Sequence, residues 1–170
     1  NRTHYENVLV TRVHPEYILF ENLPGNEKVE DITPQFWENR MEQMVNFEKH
    51  ISLNGTKVLK FYFHMSKDEQ RERLLKRLEN PEDNWKFSTG DLKERALWDD
   101  YMKYYEEAIN KTSTDFAPWY IIPADDKGVA RYIVAKIIWE EMEKLTDIAE
   151  PELDPKVKAN IEEYRTQLKK

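Results

Sequence analysis

The spacing of hydrophobic and polar residues predicts helices that alternate with short strands. In five segments apolar residues recur every three or four positions, as on one face of a helix. These segments begin near Thr3, Pro34, Ser66, Ser88 and the pair Asp125–Asp126. Two short runs, 57–64 and 118–123, are rich in aromatic and branched residues and are predicted to be strands. Strands followed by helices are typical of an α/β fold with a parallel sheet.

Two strands do not make a stable parallel sheet by themselves, because such sheets are covered on both faces and need more strands. The chain has 170 residues, which is long enough to bury a core. We therefore expect this chain to be part of a larger domain, with further strands before Asn1.

Capping residues mark the predicted helix starts. Thr3 with Glu6, and Ser66 with Glu69, have the spacing of a capping box, in which side chains satisfy free backbone N–H groups. Pro81 is expected to end the helix that begins after Ser66. We expect that helix to bury three leucines, which are Leu74, Leu75 and Leu78.

The sequence also predicts the secondary structure of three further segments. Residues 14–33 contain helix breakers, including Pro15 and Gly25, and are expected to be irregular. Residues 88–110 are expected to form one long helix with an apolar side. A short polar helix is expected after Pro155.

Composition narrows the class of protein. Charged residues make up 35% of the chain and the net charge is −7, which disfavours a broad basic surface that coats nucleic acid. There is no cysteine, so the chain has no disulfide or thiolate metal site, and a reducing cytoplasm is compatible. No apolar run approaches the length of a membrane span. We expect neither nucleic acid nor membrane as a partner.

Arg73 and Arg77 are the first candidates for ligand binding. They lie one helical turn apart, so both project from one face of the helix predicted after Ser66. Two guanidinium groups on one face suit a chain of phosphates, because each presents a fixed fork of donors to phosphate oxygens. The alternative is an ordinary solvated face, in which Glu69 pairs with Arg73 at i,i+4 spacing.

Five separated blocks resemble family 2 polyphosphate kinases, in the order in which that family carries them. They are residues 1–10, 64–88, 99–101, 112–119 and 123–131. The first block is similar to the Walker B segment and the helix after it. The next two are similar to the family's mobile lid, and the last two to its final strand and helix. Several blocks in the right order are more specific than any single motif.

The resemblance covers about residues 1–145 and implies a three-layer P-loop kinase-like fold with a parallel sheet and a helical lid at about 66–110. Residues 146–170 are predicted to be a polar helical extension. One part of the family pattern is missing, because the four glycines are too dispersed for a Gly-x-x-x-x-Gly-Lys phosphate loop. We therefore expect the fold to be incomplete in this chain and the isolated chain to be inactive.

The resemblance implies four catalytic cations, which are Arg2, Arg73, Arg77 and Lys86. Arg2 is expected at the carboxyl edge of the sheet, where such folds bind ligands, and a plain surface arginine is the alternative. Lys86 is expected to reach the phosphates from its loop. Its neighbours Trp85 and Phe87 are expected to form a hinge that anchors the lid to the body, and the alternative is that both simply cover a helix joint.

Four more residues are implied to bind substrate: Tyr5, Glu6, Lys127 and Arg131. The pair Tyr5-Glu6 is similar to family members that also accept nucleoside monophosphates, although helix capping explains Glu6 equally well. Lys127 and Arg131 lie one turn apart near a helix start, whose dipole favours anions. Ion pairs with the neighbouring aspartates are the alternative. The four histidines lack metal-ligand spacing, so no residue is assigned to a metal.

The implied activity is transfer of a terminal phosphate between inorganic polyphosphate and a nucleotide, ADP and also AMP, to give the di- or triphosphate. The implied cofactor is Mg²⁺. The aromatic-rich helices favour a homo-oligomer, and a cytoplasmic location is expected. Two alternatives stand beside this interpretation. One is an ATP-dependent nucleoside monophosphate kinase, and the other is a non-catalytic helical interaction module without a phosphate loop.

Overall fold

The protein is a mostly helical α/β chain, and the computed structural model describes residues 3–146 and 148–169. The strands are β1 (Lys60–His64) and β2 (Trp119–Pro123). The α-helices are α1 (His4–Val13), α2 (Pro34–Leu53), α3 (Lys67–Glu79), α4 (Thr89–Ala96), α5 (Trp98–Thr112), α6 (Lys127–Glu143), α7 (Pro155–Ala159) and α8 (Ile161–Leu168). Short 3₁₀ helices cover Pro15–Glu21, Val29–Asp31 and Asn84–Lys86.

The two strands pair in parallel, which confirms the α/β arrangement expected from the sequence. The register places Lys60 opposite Trp119 and His64 opposite Pro123. β1 is shorter than predicted, because pairing starts only where Trp119 lies opposite it. The carboxyl ends of both strands therefore lead directly into the starts of α3 and α6.

Side chains cap the helices much as the sequence predicts. The Thr3 hydroxyl accepts a hydrogen bond from the Glu6 amide at 3.1 Å, and the Ser66 hydroxyl accepts one from the Glu69 amide at 3.1 Å. Asp126 caps α6, since its carboxylate accepts from the Gly128 amide at 2.7 Å. These bonds satisfy N–H groups that a helix start leaves without a partner.

Three predictions about these elements are wrong in detail. Residues 88–110 form α4 and α5 rather than one helix, because Leu97 (φ −91°, ψ 16°) departs from helical angles between them. Residues 14–33 contain two 3₁₀ helices rather than irregular chain only. Leu75 and Leu78 are 47% and 49% exposed. Within the described residues, α3 packs mainly on the 3₁₀ helix after it, which leaves these leucines uncovered.

The hydrophobic core lies where α1, α2 and α5 meet. Its buried members are Tyr5, Val8, Leu9, Ile18, Trp37, Met41, Met44 and Ala108. Trp37, Met41 and Met44 come from the face of α2 that the helical spacing predicts to be buried. Non-directional burial of these apolar groups holds the three helices together.

One charged pair lies inside this body, and the hydrophobic pattern gives no sign of it. Lys60 at the start of β1 and Glu48 of α2 are only 7% and 2% exposed, and their Nζ and Oε2 atoms are 2.7 Å apart. Burial lowers the pKa of Lys60, while the hydrogen bond and charge of Glu48 oppose that shift. Buried charges persist only when paired in this way.

Three tyrosines, of which Tyr5 is buried and Tyr62 and Tyr105 are half-buried, are expected to ionise late in an alkaline titration. Burial raises the pKa of Tyr5 and Tyr105 above the ordinary value and that of Tyr62 to about 12. Because the folded chain holds these protons more tightly than the unfolded chain, stability will fall as the pH rises from the ordinary tyrosine pKa through 12. Phenolate absorbance near pH 11 will show Tyr5 and Tyr62 still largely protonated. Complete ionisation by that pH without unfolding would contradict the burial.

The chain divides within α6 into two compact units, and the second begins at Ala135. This division falls before the boundary predicted at residue 145. The second unit contains the expected polar helix, α7, where the Asp154 carboxylate accepts from the Lys156 amide at 2.7 Å. Within the described residues, every helix is too short or too polar to cross a membrane.

Candidate functional site

An open cleft of about 460 Å³ lies between α3 and the first turn of α6. It is lined by three cations and four carboxylates together with Gly128: Arg73, Lys76, Lys127, Glu69, Glu72, Asp125 and Asp126. Capping by Ser66 and Asp126 fixes the starts of both helices, so these side chains come from rigid elements. The cleft opens at the carboxyl ends of β1 and β2, where parallel α/β folds bind ligands.

Arg73 is the best anchored of these cations. Its Nε donates to the Glu69 carboxylate at 2.6 Å, and its Nη2 donates to the carbonyls of Ala124 and Asp125 at 2.8 and 3.1 Å. The Glu69–Arg73 pair that the sequence suggests as an alternative is therefore formed. Within the described residues these bonds use Nε and Nη2, so Nη1 is left for an anion in the cleft.

The two aspartates of the cleft are occupied by backbone donors, while Glu69 accepts from Arg73 and Glu72 lies 4.0 Å from Arg71. Asp125 accepts from the Ser66 amide at 2.8 Å, and this bond together with the Ser66 side chain holds the pKa of Asp125 below its ordinary value. Asp126 caps α6. Within the described part of the chain, Lys76 and Lys127 have no carboxylate within 4 Å. The cleft thus contains two lysines whose charge is available to an incoming anion.

Lys76 is a cleft residue that the sequence interpretation missed. It follows Arg73 by three positions, and residues three apart share a helix face. That spacing is the signal that could have identified it. Lys127 lies in the cleft as a candidate phosphate ligand, whereas Arg131, one turn further along α6, is exposed and does not line it.

Arg77 and Lys86 lie in a second group around the loop after α3. Lys86 donates to the Asp83 carboxylate at 2.6 Å, and Arg77 is 3.9 Å from the Asp91 carboxylate at the start of α4. The hydrogen bond from Lys86, and then that from Asn80, lowers the pKa of Asp83, with a smaller effect from the charge of Arg77. The structure therefore pairs Lys86 with Asp83 and places Arg77 beside Asp91, apart from Arg73.

Trp85 does not cover a helix joint. Its side chain is 79% exposed rather than packed over a helix joint. The Lys86 ammonium lies 5.2 Å from its ring centroid, a cation–π distance. The exposed indole is thus free to meet a ligand or a neighbouring surface.

The predicted nucleotide residues at the start of α1 differ in exposure. Tyr5 is only 6% exposed, and its hydroxyl accepts from Lys60, so any part it takes in binding is indirect. Glu6 is exposed on the first turn of the same helix. Arg2 lies outside the described residues.

Metal ligands were not expected from the sequence. Within the described residues, histidine and acidic side chains form no group of three or more that could hold a metal ion. Mg²⁺ is bound in proteins by oxygen ligands in octahedral geometry, often with substrate phosphates supplying several of them. The described residues therefore do not by themselves fit a Mg²⁺ site, and none is assigned to that ion.

Two curated relatives match much or all of this chain. The ADP-polyphosphate phosphotransferase of Rhodopseudomonas palustris is 46% identical over 170 residues, which is 100% of this chain and 57% of that protein. The AMP/ADP-polyphosphate phosphotransferase of Meiothermus ruber is 46% identical over 145 residues, or 85% of this chain and 49% of that protein. The chain thus spans about half the length of these relatives.

A solved structure matches the fold. Polyphosphate kinase 2 from Arthrobacter aurescens superimposes with a TM-score of 0.77 and 35% identity, covering 94% of this chain and 52% of that one. The incomplete sheet is consistent with this partial coverage. The family described as Polyphosphate kinase 2 matches residues 20–150, which is more than half of the chain. The chain belongs to the polyphosphate kinase 2 family.

Proposed function

We propose that the protein containing this chain transfers a terminal phosphate between inorganic polyphosphate and a nucleotide. The observation that carries this proposal is the cleft between α3 and α6, where Arg73, Lys76 and Lys127 converge. Three cations along one cleft match a substrate that is itself a row of phosphates. The names of the two relatives, which pair ADP or AMP with polyphosphate, support the same reaction.

Charge neutralisation is the chemistry that these residues offer. Phosphoryl transfer depends on positioning and on neutralising charge at the equatorial oxygens. We assign that part to Arg73 and Arg77, with Lys86, Lys76 and Lys127 holding neighbouring phosphates. In the structure, Arg73 already has a carboxylate partner in Glu69, so its guanidinium is oriented before a phosphate arrives.

We propose that α3 and α4 belong to a lid that carries Arg73, Arg77 and Lys86, which fits a reaction that must exclude water. α3 and α4 are joined by a loop that carries the exposed residues Trp85 and Lys86. Neither residue belongs to the hydrophobic core of α1, α2 and α5. A lid that closes over the phosphate limits its loss to hydrolysis. We therefore propose that Arg77 and Lys86 leave Asp83 and Asp91 when polyphosphate binds.

The acceptor is proposed to be ADP, with AMP as a second acceptor. Glu6 is kept as a candidate nucleotide contact, and Arg2 and Arg131 as candidate phosphate contacts. Mg²⁺ is part of the proposal as an ion that neutralises phosphate charge, without a ligand from the described residues. The proposal also includes a homo-oligomeric cytoplasmic protein, in line with its aromatic-rich helices and lack of cysteine.

A donor comparison tests this function. The full-length protein is supplied with Mg²⁺ and AMP, and either polyphosphate or ATP is offered as phosphate donor. ADP is offered with polyphosphate alone, because transfer from ATP to ADP returns the same two nucleotides. We expect transfer from polyphosphate to exceed transfer from ATP. Transfer from ATP alone would instead indicate a nucleoside monophosphate kinase, and no transfer from either donor would support a non-catalytic module.

A further inference from the structure

The buried pair of Lys60 and Glu48 has no part in the phosphate chemistry proposed above. Replacing a buried ion pair by apolar residues of similar size is often neutral or stabilising, so stability alone is a weak reason for such a pair. Its best-attested alternative use is to fix one arrangement of the chain among several. The position of Lys60 indicates which arrangement this is.

Lys60 joins four separate segments of the chain. Beyond Glu48 of α2, its Nζ donates to the carbonyl of Thr112 at 2.7 Å and to the hydroxyl of Tyr5 at 3.2 Å. These three acceptors use all three donors of the ammonium group. The end of α5, the middle of α2 and the first turn of α1 are thereby fixed to the start of β1.

Tyr5 is the member of this group that adjoins Glu6, the candidate nucleotide contact. Its ring meets that of Trp119 edge to face, with centroids 4.8 Å apart, and the Lys60 ammonium lies 5.2 and 5.3 Å from the two rings. The indole N–H of Trp119 donates to the Thr112 hydroxyl at 2.9 Å, which fixes the second ring in turn. Tyr5 is therefore held at its hydroxyl and along its ring, and Glu6 follows it directly on the exposed side of the same turn.

We propose that Lys60 and Glu48 are positioning residues for the nucleotide, because they fix Tyr5 and through it the first turn of α1 that carries Glu6. This inference rests on the proposed role of Glu6 in nucleotide binding. A wrongly placed first turn weakens nucleotide binding without altering the cations that act on polyphosphate.

Two variants of the full-length protein test the inference. The double variant Lys60→Met, Glu48→Leu removes both charges together, and Tyr5→Phe removes only the hydroxyl that Lys60 holds. The matched control is Arg12→Met, Glu107→Leu. That pair, 2.6 Å apart and 14% and 24% exposed at its side chains, ties the opposite end of α1 to α5.

The kinetic readout separates positioning from general damage. We expect the double variant to raise the nucleotide KM about tenfold, with kcat and the polyphosphate KM within about twofold of the parent. Tyr5→Phe is expected to move the nucleotide KM in the same direction by a smaller factor, and the control pair to leave it unchanged. An unchanged nucleotide KM in both test variants, or an equal rise in the control, would overturn the inference.

Amide hydrogen exchange provides a readout that does not need activity. We expect the amides of residues 6–8, which donate within the first turn of α1, to exchange about tenfold faster in the double variant, while the end of α1 keeps its protection. Should the full-length protein transfer no phosphate at all, the proposed function fails and exchange alone decides the positioning of α1. Unchanged exchange at residues 6–8 in both the double variant and Tyr5→Phe would then overturn it.

Discussion

Replacing Arg73 and Arg77 together by alanine is expected to lower kcat/KM for polyphosphate by about 10³-fold or more. Removal of one preorganised donor to developing charge typically costs about 10²–10³-fold, and arginines on transferring phosphates reach larger effects. The loss should appear in both kcat and the polyphosphate KM, because the two arginines are proposed to bind the chain and to neutralise the transition state. Steady-state rates of ATP formation by the full-length protein measure both.

The same helix offers a matched control for this experiment. Arg71 lies on α3 with a side chain 54% exposed, 3.7 Å from Asp68, and it does not line the cleft. Arg71→Ala removes one positive charge from α3 but should change kcat/KM by no more than about twofold. Equal losses in Arg71→Ala and the double variant would mean that only the overall charge of the helix matters. Full activity in the double variant would remove the lid arginines from the mechanism.

Lys60→Met is expected to destabilise the protein by about 3–5 kcal/mol, because the buried carboxylate of Glu48 loses the ammonium group 2.7 Å away and keeps the His4 ring only at 3.8 Å. Glu48 is 2% exposed, so water cannot replace the lost ammonium without opening the structure. Urea unfolding of the full-length protein, followed by tryptophan fluorescence, gives the free-energy difference. Adding Glu48→Leu to this variant should recover most of the loss, since no unpaired charge then remains.

An exposed lysine provides the comparison. Lys136 pairs with Glu140 at 3.7 Å, and both side chains are more than half exposed. Lys136→Met should therefore change the free energy of unfolding by less than about 1 kcal/mol. A loss in Lys60→Met no larger than that in Lys136→Met would contradict the buried pairing of Lys60 and Glu48.

Local sequence signals predicted the elements well where one residue determines the geometry. The Ser66 cap and Pro81 define both ends of α3, because a hydroxyl acceptor and a missing N–H act on the backbone nearby. Leu97 carries no comparable signal, so the break between α4 and α5 was not predicted. The helical spacing of Leu75 and Leu78 shows only that they share a face of α3. It does not show whether another element covers that face, so their exposure could not be predicted.

Residue identity likewise predicted part of the site. The spacing of Arg73 and Arg77 places them on α3, yet only the fold shows that Arg73 turns towards α6 while Arg77 turns towards Asp91. The partners of Lys60 could not be predicted, since they come from residues 5, 48 and 112 and only packing brings them together. The sequence pattern of β1 does not distinguish a buried lysine from a solvent-exposed one.

The most direct test of the proposed phosphate transfer is the balance between ATP formed and polyphosphate consumed. The full-length protein is given ADP, Mg²⁺ and polyphosphate of one defined chain length, and both nucleotides and remaining chain lengths are measured over time. We expect one ATP for each terminal phosphate lost from the polymer, with no equivalent formation of AMP. Formation of ATP with an equal amount of AMP and polymer of unchanged length would contradict it, because two ADP molecules would then be exchanging phosphate.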